Sequence, residues 1–224
     1  MQSLVTPTSV GHVNIYLIET ETGYILVDTG MSNVGKKLGQ IFENAGVDPK
    51  SVQLIVATHG HMDHVGAIAC AQRITGAKIL CHQSFAESLA SGKFEAAAAQ
   101  NLLGRLLNFM TGLTGSKIKA AKPDIVMDDE FDLNAYGVAG KIIHTPGHSP
   151  SSISIVLDNG EALIGDMVRE ERSGEIGLGM FYEDEPVVFE SLDKVMAFEP
   201  KAIYLSHGKC IDNSTLRNFI ETHR

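Results

Sequence analysis

Four side chains that can bind a metal ion lie within six residues, His59, His61, Asp63 and His64, directly after an apolar run. That run, residues 52–57, is typical of a buried β-strand. Residues two apart at an extended strand end point the same way, so His59 and His61 can converge on one cation. Asp63 and His64 fall on the turn into the next helix and face a neighbouring point. The spacing therefore predicts two adjacent metal sites.

Further candidates lie where other apolar runs end, beside or close to glycine. They are Asp28, His148, Asp166 and His207. Glycines at such positions let the backbone turn sharply, so that imidazoles and carboxylates can meet above one edge of a sheet. An isolated histidine is more often a surface or satisfied core residue than a ligand. We apply that interpretation to the four remaining histidines, which are His12, His82, His144 and His223.

The elements that must position these residues form two similar halves. The first half alternates strands and helices, which favours a sheet with parallel pairs and helices on its outer face. Its predicted order is a hairpin over 13–28, a helix from Ser32 to Gly46, a strand at 52–57, a helix at 64–75 and a strand at 78–82. The second half is mostly antiparallel, with a loop at 170–185. Its predicted strands are 125–127, 131–133, 137–144, 152–157, 162–165 and 202–205, and its helices are 186–198 and 213–223.

A segment at about 84–121 interrupts this pattern, because it is rich in Ala and Leu and holds no strand-like run. We predict two helices there. In the second predicted helix, apolar residues recur at helical spacing, which indicates an ordinary buried helix face. The alternative is a substrate lid or a subunit contact. These apolar residues are Leu102, Leu103, Leu106, Leu107 and Met110.

Composition narrows the classes of partner. The 224 residues, with no linker-like stretch, predict a single domain over 1–224. The 18 basic and 27 acidic residues give a net charge of −9, which argues against nucleic acid as a partner. Three cysteines without C-x-x-C spacing, no signal-like N-terminus and no long apolar run predict a cytoplasmic protein with no membrane partner. We expect a small-molecule substrate and a possible homodimer.

The whole set of candidates, in chain order, resembles the motifs of the metallo-β-lactamase superfamily. The H-x-H-x-D-H stretch over 59–64 is its most specific part, and Asp28-Thr29-Gly30, His148, Asp166 and His207 complete it. The resemblance covers nearly the whole chain and points to glyoxalase II-like and lactonase-like metallo-hydrolases. It implies an α/β (α+β) fold, a four-layer αββα sandwich of two mixed β-sheets with a dinuclear metal site at one edge.

Each ligand role follows from that resemblance. It places His59, His61 and His148 on the first metal, Asp63, His64 and His207 on the second, and Asp166 between them. Two divalent ions, Zn²⁺ before Fe or Mn, would activate water as hydroxide near neutral pH. Asp63 and Asp28 are placed in the catalytic machinery. Asp28 is expected not to bind metal but to accept a hydrogen bond that fixes a ligating ring.

The substrate is less constrained than the metal site. We predict hydrolysis of a thioester, ester or lactone, because apolar walls around a cationic metal pair suit a carbonyl substrate with an apolar tail. The chain has no helical domain after His207 of the glyoxalase II kind, and no Tyr shortly after Asp166 of the homoserine-lactonase kind. Two other activities stay open: a phosphodiesterase on the same metal pair, and a mononuclear iron persulfide dioxygenase using His59, His148 and Asp166. A non-enzymatic metal-binding scaffold is the third alternative.

Overall fold

A computed structural model describes residues 4–100, 102, 104 and 117–224. Its first sheet has six strands in the order β1-β2-β3-β4-β5-β6. Strands β1 to β3 are antiparallel neighbours, and β3 to β6 are parallel. The bounds are β1 (Val5–Val10), β2 (Val13–Thr20), β3 (Gly23–Val27), β4 (Val52–Val56), β5 (Lys78–His82) and β6 (Ile125–Met127).

The second sheet has the order β14-β13-β10-β9-β8-β7. It is antiparallel except for the pair of β10 and β13. The bounds are β7 (Glu130–Asp132), β8 (Gly140–His144), β9 (Ile153–Leu157), β10 (Glu161–Leu163), β13 (Ala202–Tyr204) and β14 (Ile211–Asp212). A separate two-stranded ribbon joins β11 (Arg169–Glu170) to β12 (Ile176–Gly177).

Apolar side chains fill three layers of core. The middle layer lies between the sheets and includes Ile25 and Leu54 from the first sheet and Ile155 from the second. The outer layers lie between each sheet and its helices, as Phe42 and Phe189 show. The first sheet carries α1 (Leu38–Asn44), α2 (Met62–Val65), α3 (Ile68–Thr75) and α4 (Gln83–Ala90), and the second carries α5 (Glu185–Met196) and α6 (Asn213–His223). The predicted αββα sandwich of two mixed sheets is confirmed.

The predicted helix at 64–75 is two helices in the structure, α2 and α3, with a break at Gly66. A Cβ at Gly66 would lie 2.5 Å from the Ser32 amide nitrogen and 2.6 Å from the Met62 carbonyl oxygen. The loop after β3 therefore packs directly against the chain at the break, and the Ala67 amide donates to the Gly30 carbonyl at 3.0 Å. A long-range contact overrides the helical periodicity here.

Other boundaries also differ from the predictions. Ser32 does not cap a helix, because a 3₁₀ turn, Ser32–Lys36, begins there and α1 starts only at Leu38. Strands β1 and β14 were not predicted; β1 is an edge strand in which only Val5 is buried, so it lacks an apolar run. The loop predicted at 170–185 contains β12 and the last residue of β11.

In the 84–121 segment, α4 confirms the first predicted helix. Leu102 is 83% exposed, so the prediction of a buried face is wrong for that residue. The rest of the predicted stripe, Leu103, Leu106, Leu107 and Met110, lies outside the described residues. Within the described ranges, no helix is long and apolar enough to cross a bilayer.

Candidate metal centre

The candidate residues follow the carboxyl ends of strands that point to one edge of the sandwich. In the first sheet, Asp28 follows β3 and His59 follows the parallel strand β4. In the second sheet, His148, Asp166 and His207 follow β8, β10 and β13. Strands β8 and β10 are both antiparallel to β9, and β13 is parallel to β10, so all three run the same way. The topology brings residues that are distant in sequence to one edge.

Three imidazoles form the first group of possible ligands, with His59 Nε2 and His148 Nε2 each 3.0 Å from His61 Nδ1. Nitrogens about 2.0–2.1 Å from a tetrahedral zinc ion lie about 3.3 Å apart, so this spacing is close to what one cation needs. Burial lowers the pKa of His148 to about 3 and that of His61 to about 4. Burial and the neighbouring rings hold the pKa of His59 well below its usual value. All three are neutral near pH 7, which leaves lone pairs for a metal.

Asp63, His64 and His207 form the second group. His207 Nε2 lies 3.3 Å from Asp63 Oδ2, and His64 Nε2 lies 3.8 Å from the same oxygen. Burial opposes charge on both rings, but the Asp166 carboxylate and its neighbours outweigh burial. They raise the pKa of His207 to about 9 and that of His64 well above its usual value. Burial would raise the pKa of Asp63, yet His64 and His207 hold it below its usual range.

Asp166 lies between the two groups. Its Oδ1 is 3.4 Å from His64 Nε2, and its Oδ2 is 3.2 Å from His207 Nε2 and 3.8 Å from His148 Nε2. It also forms a third possible ligand set with His59 and His64. One carboxylate therefore reaches imidazoles of both groups, which is the arrangement that a bridging ligand requires.

Hydrogen bonds on the far side of the rings fix their orientation. Asp28 Oδ2 accepts from His64 Nδ1 at 2.8 Å and from Thr58 Oγ1 at 2.7 Å, and Asp28 Oδ1 accepts from the Thr58 amide at 2.9 Å. Thr58 Oγ1 in turn lies 3.0 Å from His59 Nδ1. Because Thr58 Oγ1 donates to Asp28, it can accept from that ring and leave His59 Nε2 free to bind. Asp28 thus has the orienting contact that we predicted for it.

Sequence reasoning missed Thr58 and one backbone group. His207 Nδ1 donates to the carbonyl oxygen of His12 at 2.6 Å, which turns His207 Nε2 towards the second group. The turn between β1 and β2 that carries this carbonyl is anchored by the Asn14 amide, which donates to the Ser206 carbonyl at 2.7 Å. Thr58 could have been found from its position before His59. No side-chain pattern signals the carbonyl of His12.

The histidines that we predicted to be ordinary belong to none of the three groups in the described part of the chain. The rings of His82 and His144 stack on each other with centroids 3.8 Å apart. The ring of His223 stacks on Phe219 at 4.5 Å.

The donor atoms fit divalent cations. Among the described residues, His64 Nε2 and Asp166 Oδ1 are buried and have no hydrogen-bond partner. A buried polar atom without a hydrogen-bond partner raises the free energy of the folded protein, and a cation bound between these two atoms would remove that penalty. A set of imidazole and carboxylate donors accepts zinc, iron and manganese. The residues present therefore fit metal ions at both groups.

A model of the metallo-β-lactamase superfamily matches residues 8–207. The chain belongs to the metallo-β-lactamase superfamily. The match spans β2 to β13 and includes every candidate ligand. The family and the fold that the motif set predicted are both confirmed.

Relatives in the superfamily are distant in sequence. The Drosophila melanogaster protein named beta-lactamase-like protein 2 homolog is 25% identical over 199 residues, which is 89% of this chain. The chain spans only 59% of that relative's length. The Bacillus subtilis protein named probable metallo-hydrolase YflN is 26% identical over 220 residues, covering 87% of this chain and 80% of the relative.

Solved structures of superfamily members share the fold. An archaeal metallo-beta-lactamase superfamily protein, ST1585 from Sulfolobus tokodaii, superposes with a TM-score of 0.71 at 20% identity, covering 99% of this chain and 86% of that one. The BLEG-1 B3 metallo-beta-lactamase superposes with a TM-score of 0.70 at 20% identity, covering 96% and 95%. At this identity the likeness concerns the fold alone.

The 84–121 segment contacts the loops that carry His59, His61 and His148 through Glu95, a residue that sequence reasoning did not single out. Glu95 Oε2 accepts from the Gly60 amide at 3.0 Å and from Ser151 Oγ at 2.6 Å. The Glu95 amide donates to the Gly60 carbonyl at 2.7 Å. Gly60 lies between His59 and His61, and Ser151 belongs to the loop after His148. One carboxylate therefore ties together the two loops that carry the first group.

Glu95→Ala is expected to weaken binding of the first metal roughly tenfold, because loss of an outer hydrogen-bond partner typically costs about 10–100-fold in metal affinity. Glu95→Gln keeps an acceptor oxygen and should lose less. The measurement is competition with a chromophoric chelator. Glu87→Ala, on the exposed face of α4, is the matched control. Wild-type affinity in Glu95→Ala would show that the tie is unimportant.

The two groups should differ in the protons that they release on binding metal. Metal binds neutral imidazole, and His207, with its pKa raised to about 9, is protonated in the metal-free protein at neutral pH. The first cation should release few protons at about pH 7.5 and the second about two, from His64 and His207. Affinity of the second group should therefore rise with pH up to about 9. Calorimetry in buffers of different ionisation enthalpy measures this, and equal release for both cations would contradict it.

Proposed function

We propose that this chain is a metal-dependent hydrolase that cleaves a thioester, ester or lactone of a small molecule. The observation that carries the proposal is the pair of ligand groups joined through Asp166, whose Oδ2 lies 3.2 Å from His207 Nε2 of the second group and 3.8 Å from His148 Nε2 of the first. The name of the Bacillus subtilis relative, probable metallo-hydrolase, supports the same class. We assign two divalent ions to the site, zinc in the first instance.

Each residue has a defined role in this proposal. The neutral rings of His59, His61 and His148 would hold one cation and leave a position open. Asp63, His64 and His207 would hold the other, with Asp166 shared. Bound there, a pair of divalent ions supplies an activated water and polarises the substrate carbonyl.

The two carboxylates that we placed in the catalytic machinery act differently. The Asp63 side chain is 38% exposed, against 12% for Asp166, so it is the acidic ligand nearest to an entering substrate. Its lowered pKa keeps it ionised, which suits a ligand rather than a proton donor. Asp28 is fully enclosed and reaches the reaction only through His64 and Thr58. It is a positioning residue.

A panel of activated esters, acyl thioesters and lactones tests the proposal on metal-loaded protein. We expect turnover of at least one class, with two metal ions per chain, and loss of both turnover and one ion in His61→Ala. Absence of turnover sensitive to His61→Ala across the panel would overturn the proposal. Turnover of bis(p-nitrophenyl) phosphate alone would assign a phosphodiesterase. One iron per chain with oxygen consumption would assign the dioxygenase.

A further inference from the structure

A groove of about 530 Å³ reaches the candidate metal centre at Asp63. Its walls are the turn between β1 and β2 on one side and the 3₁₀ turn and α1 on the other. Its size lies within the range of about 300–1,000 Å³ that is usual for small-molecule sites. The described lining contains no residue of the 84–121 segment or of the 170–185 loop. The groove therefore offers a route to the centre that sequence reasoning did not foresee.

Apolar side chains make up much of this groove. Val10, Val34 and Ile41 line it, and Met31 is 40% exposed there. Only a few large apolar side chains of the described residues are exposed to that degree. An apolar groove that begins at a metal ligand suits a hydrocarbon chain whose reactive end lies at the metals.

Lys37 is the one lysine or arginine of the described lining, which also holds the polar side chains of Ser9, Asn33, Gln40 and Asn44. Lys37 is exposed and forms no ion pair within the described part of the chain. The other titratable groups of the described lining are His12 and Asp63. In a chain with a net charge of −9, a groove lysine that forms no ion pair with the described residues is an attractive site for a substrate anion.

We infer that the groove binds an acyl chain that carries a carboxylate at its far end, and that Lys37 pairs with this carboxylate. The substrate class is then a monoester or monothioester of a dicarboxylic acid. This rests on the proposed hydrolase function, which supplies the reaction at the ester end. The apolar residues would contact the methylene chain, and Lys37 would select the charged terminus over a methyl group.

Two matched esters test the selection: the mono-p-nitrophenyl ester of adipic acid and p-nitrophenyl hexanoate. They share leaving group and acyl length and differ in the terminal group. The wild type should show a lower KM for the adipate ester. Lys37→Met should raise that KM about 2- to 5-fold, as an exposed ion pair contributes up to about 1 kcal/mol, and leave the hexanoate KM unchanged. Added salt should reduce the difference, since screening weakens exposed pairs.

Lys36→Met is the matched control, because it removes the same charge from a neighbouring exposed lysine outside the described lining. Its KM values should stay at the wild-type level. Equal effects of Lys36→Met and Lys37→Met would overturn the inference, since only net charge would then matter. An equal change in both esters with Lys37→Met, or none in either, would overturn it as well.

A binding measurement separates this inference from the hydrolase proposal. Adipic acid monoamide and hexanamide resist hydrolysis, and calorimetric titration gives their affinities without turnover. Tighter binding of the monoamide, lost in Lys37→Met and kept in Lys36→Met, supports the groove even if no ester is cleaved. Equal binding of both amides, with ester turnover present, leaves the hydrolase intact and overturns the assignment of Lys37.

Discussion

Asp166→Asn is expected to lower turnover about 10³-fold. A metal pair contributes several kcal/mol to charge stabilisation in the transition state, and about 1.4 kcal/mol corresponds to a tenfold change in rate. The asparagine fills the same volume but carries no charge. It removes the carboxylate that lies within 3.2–3.8 Å of imidazoles from both groups. Metal content should fall below two ions per chain, because the second group then holds a single carboxylate, Asp63.

The matched control for this substitution is Asp158→Asn, an isosteric change at an exposed residue after β9. It should retain wild-type turnover and metal content. Turnover is measured on the substrate found with the ester panel, and metal content by elemental analysis of dialysed protein. If Asp166→Asn kept both ions and full turnover, Asp166 would not be the shared ligand.

Gly147→Ala is expected to destabilise the fold by roughly 2–5 kcal/mol, combining overpacking and backbone strain. Gly147 has a φ of +124°, and a Cβ there would lie 2.4 Å from the Val188 amide nitrogen and 2.7 Å from its Cα. Gly147 also accepts hydrogen bonds from the Glu183 and Asp184 amides at 2.8 and 3.0 Å, next to the start of α5. A methyl group would push α5 away from the loop that carries His148. Loss of the first metal should accompany the loss of stability.

Gly76→Ala separates the two contributions. Gly76, at the end of α3, has a φ of +80°, and a Cβ there would meet no atom within 4 Å. It should cost only about 1–2 kcal/mol, from the positive φ alone. Urea unfolding of the two variants gives the comparison. Equal losses of unfolding free energy in Gly147→Ala and Gly76→Ala would mean that the contact with Val188 adds nothing to the backbone strain.

Much of the fold was predictable because its signals are local. Strand β5 and helix α6 have the predicted bounds, as their apolar periodicity and end signals are contained within the segment. The break at Gly66 was not predictable, because it depends on the approach of Met31 and Ser32 from another part of the chain. Strand β1 was missed because it is an edge strand that buries only Val5 and so has no apolar run.

The sequence by itself determined which side chains meet. Five candidate ligands follow strand ends, and Asp63 and His64 lie in the helix after His61. The resemblance of the whole motif set to the superfamily implies that they share one edge. The structure brings all seven together, His59, His61, Asp63, His64, His148, Asp166 and His207.

Only the tertiary structure decided how these ligands are oriented and what lies beside them. His12 and His207 are 195 residues apart, and the bond between them involves a backbone carbonyl, which has no residue-specific signature. Glu95 reaches Gly60 and Ser151 across 35 and 56 residues. The groove around Lys37 arises where a β-turn faces a helix, so its lining comes from segments that are individually unremarkable. Such features depend on the relative placement of separate elements, which local residue patterns do not encode.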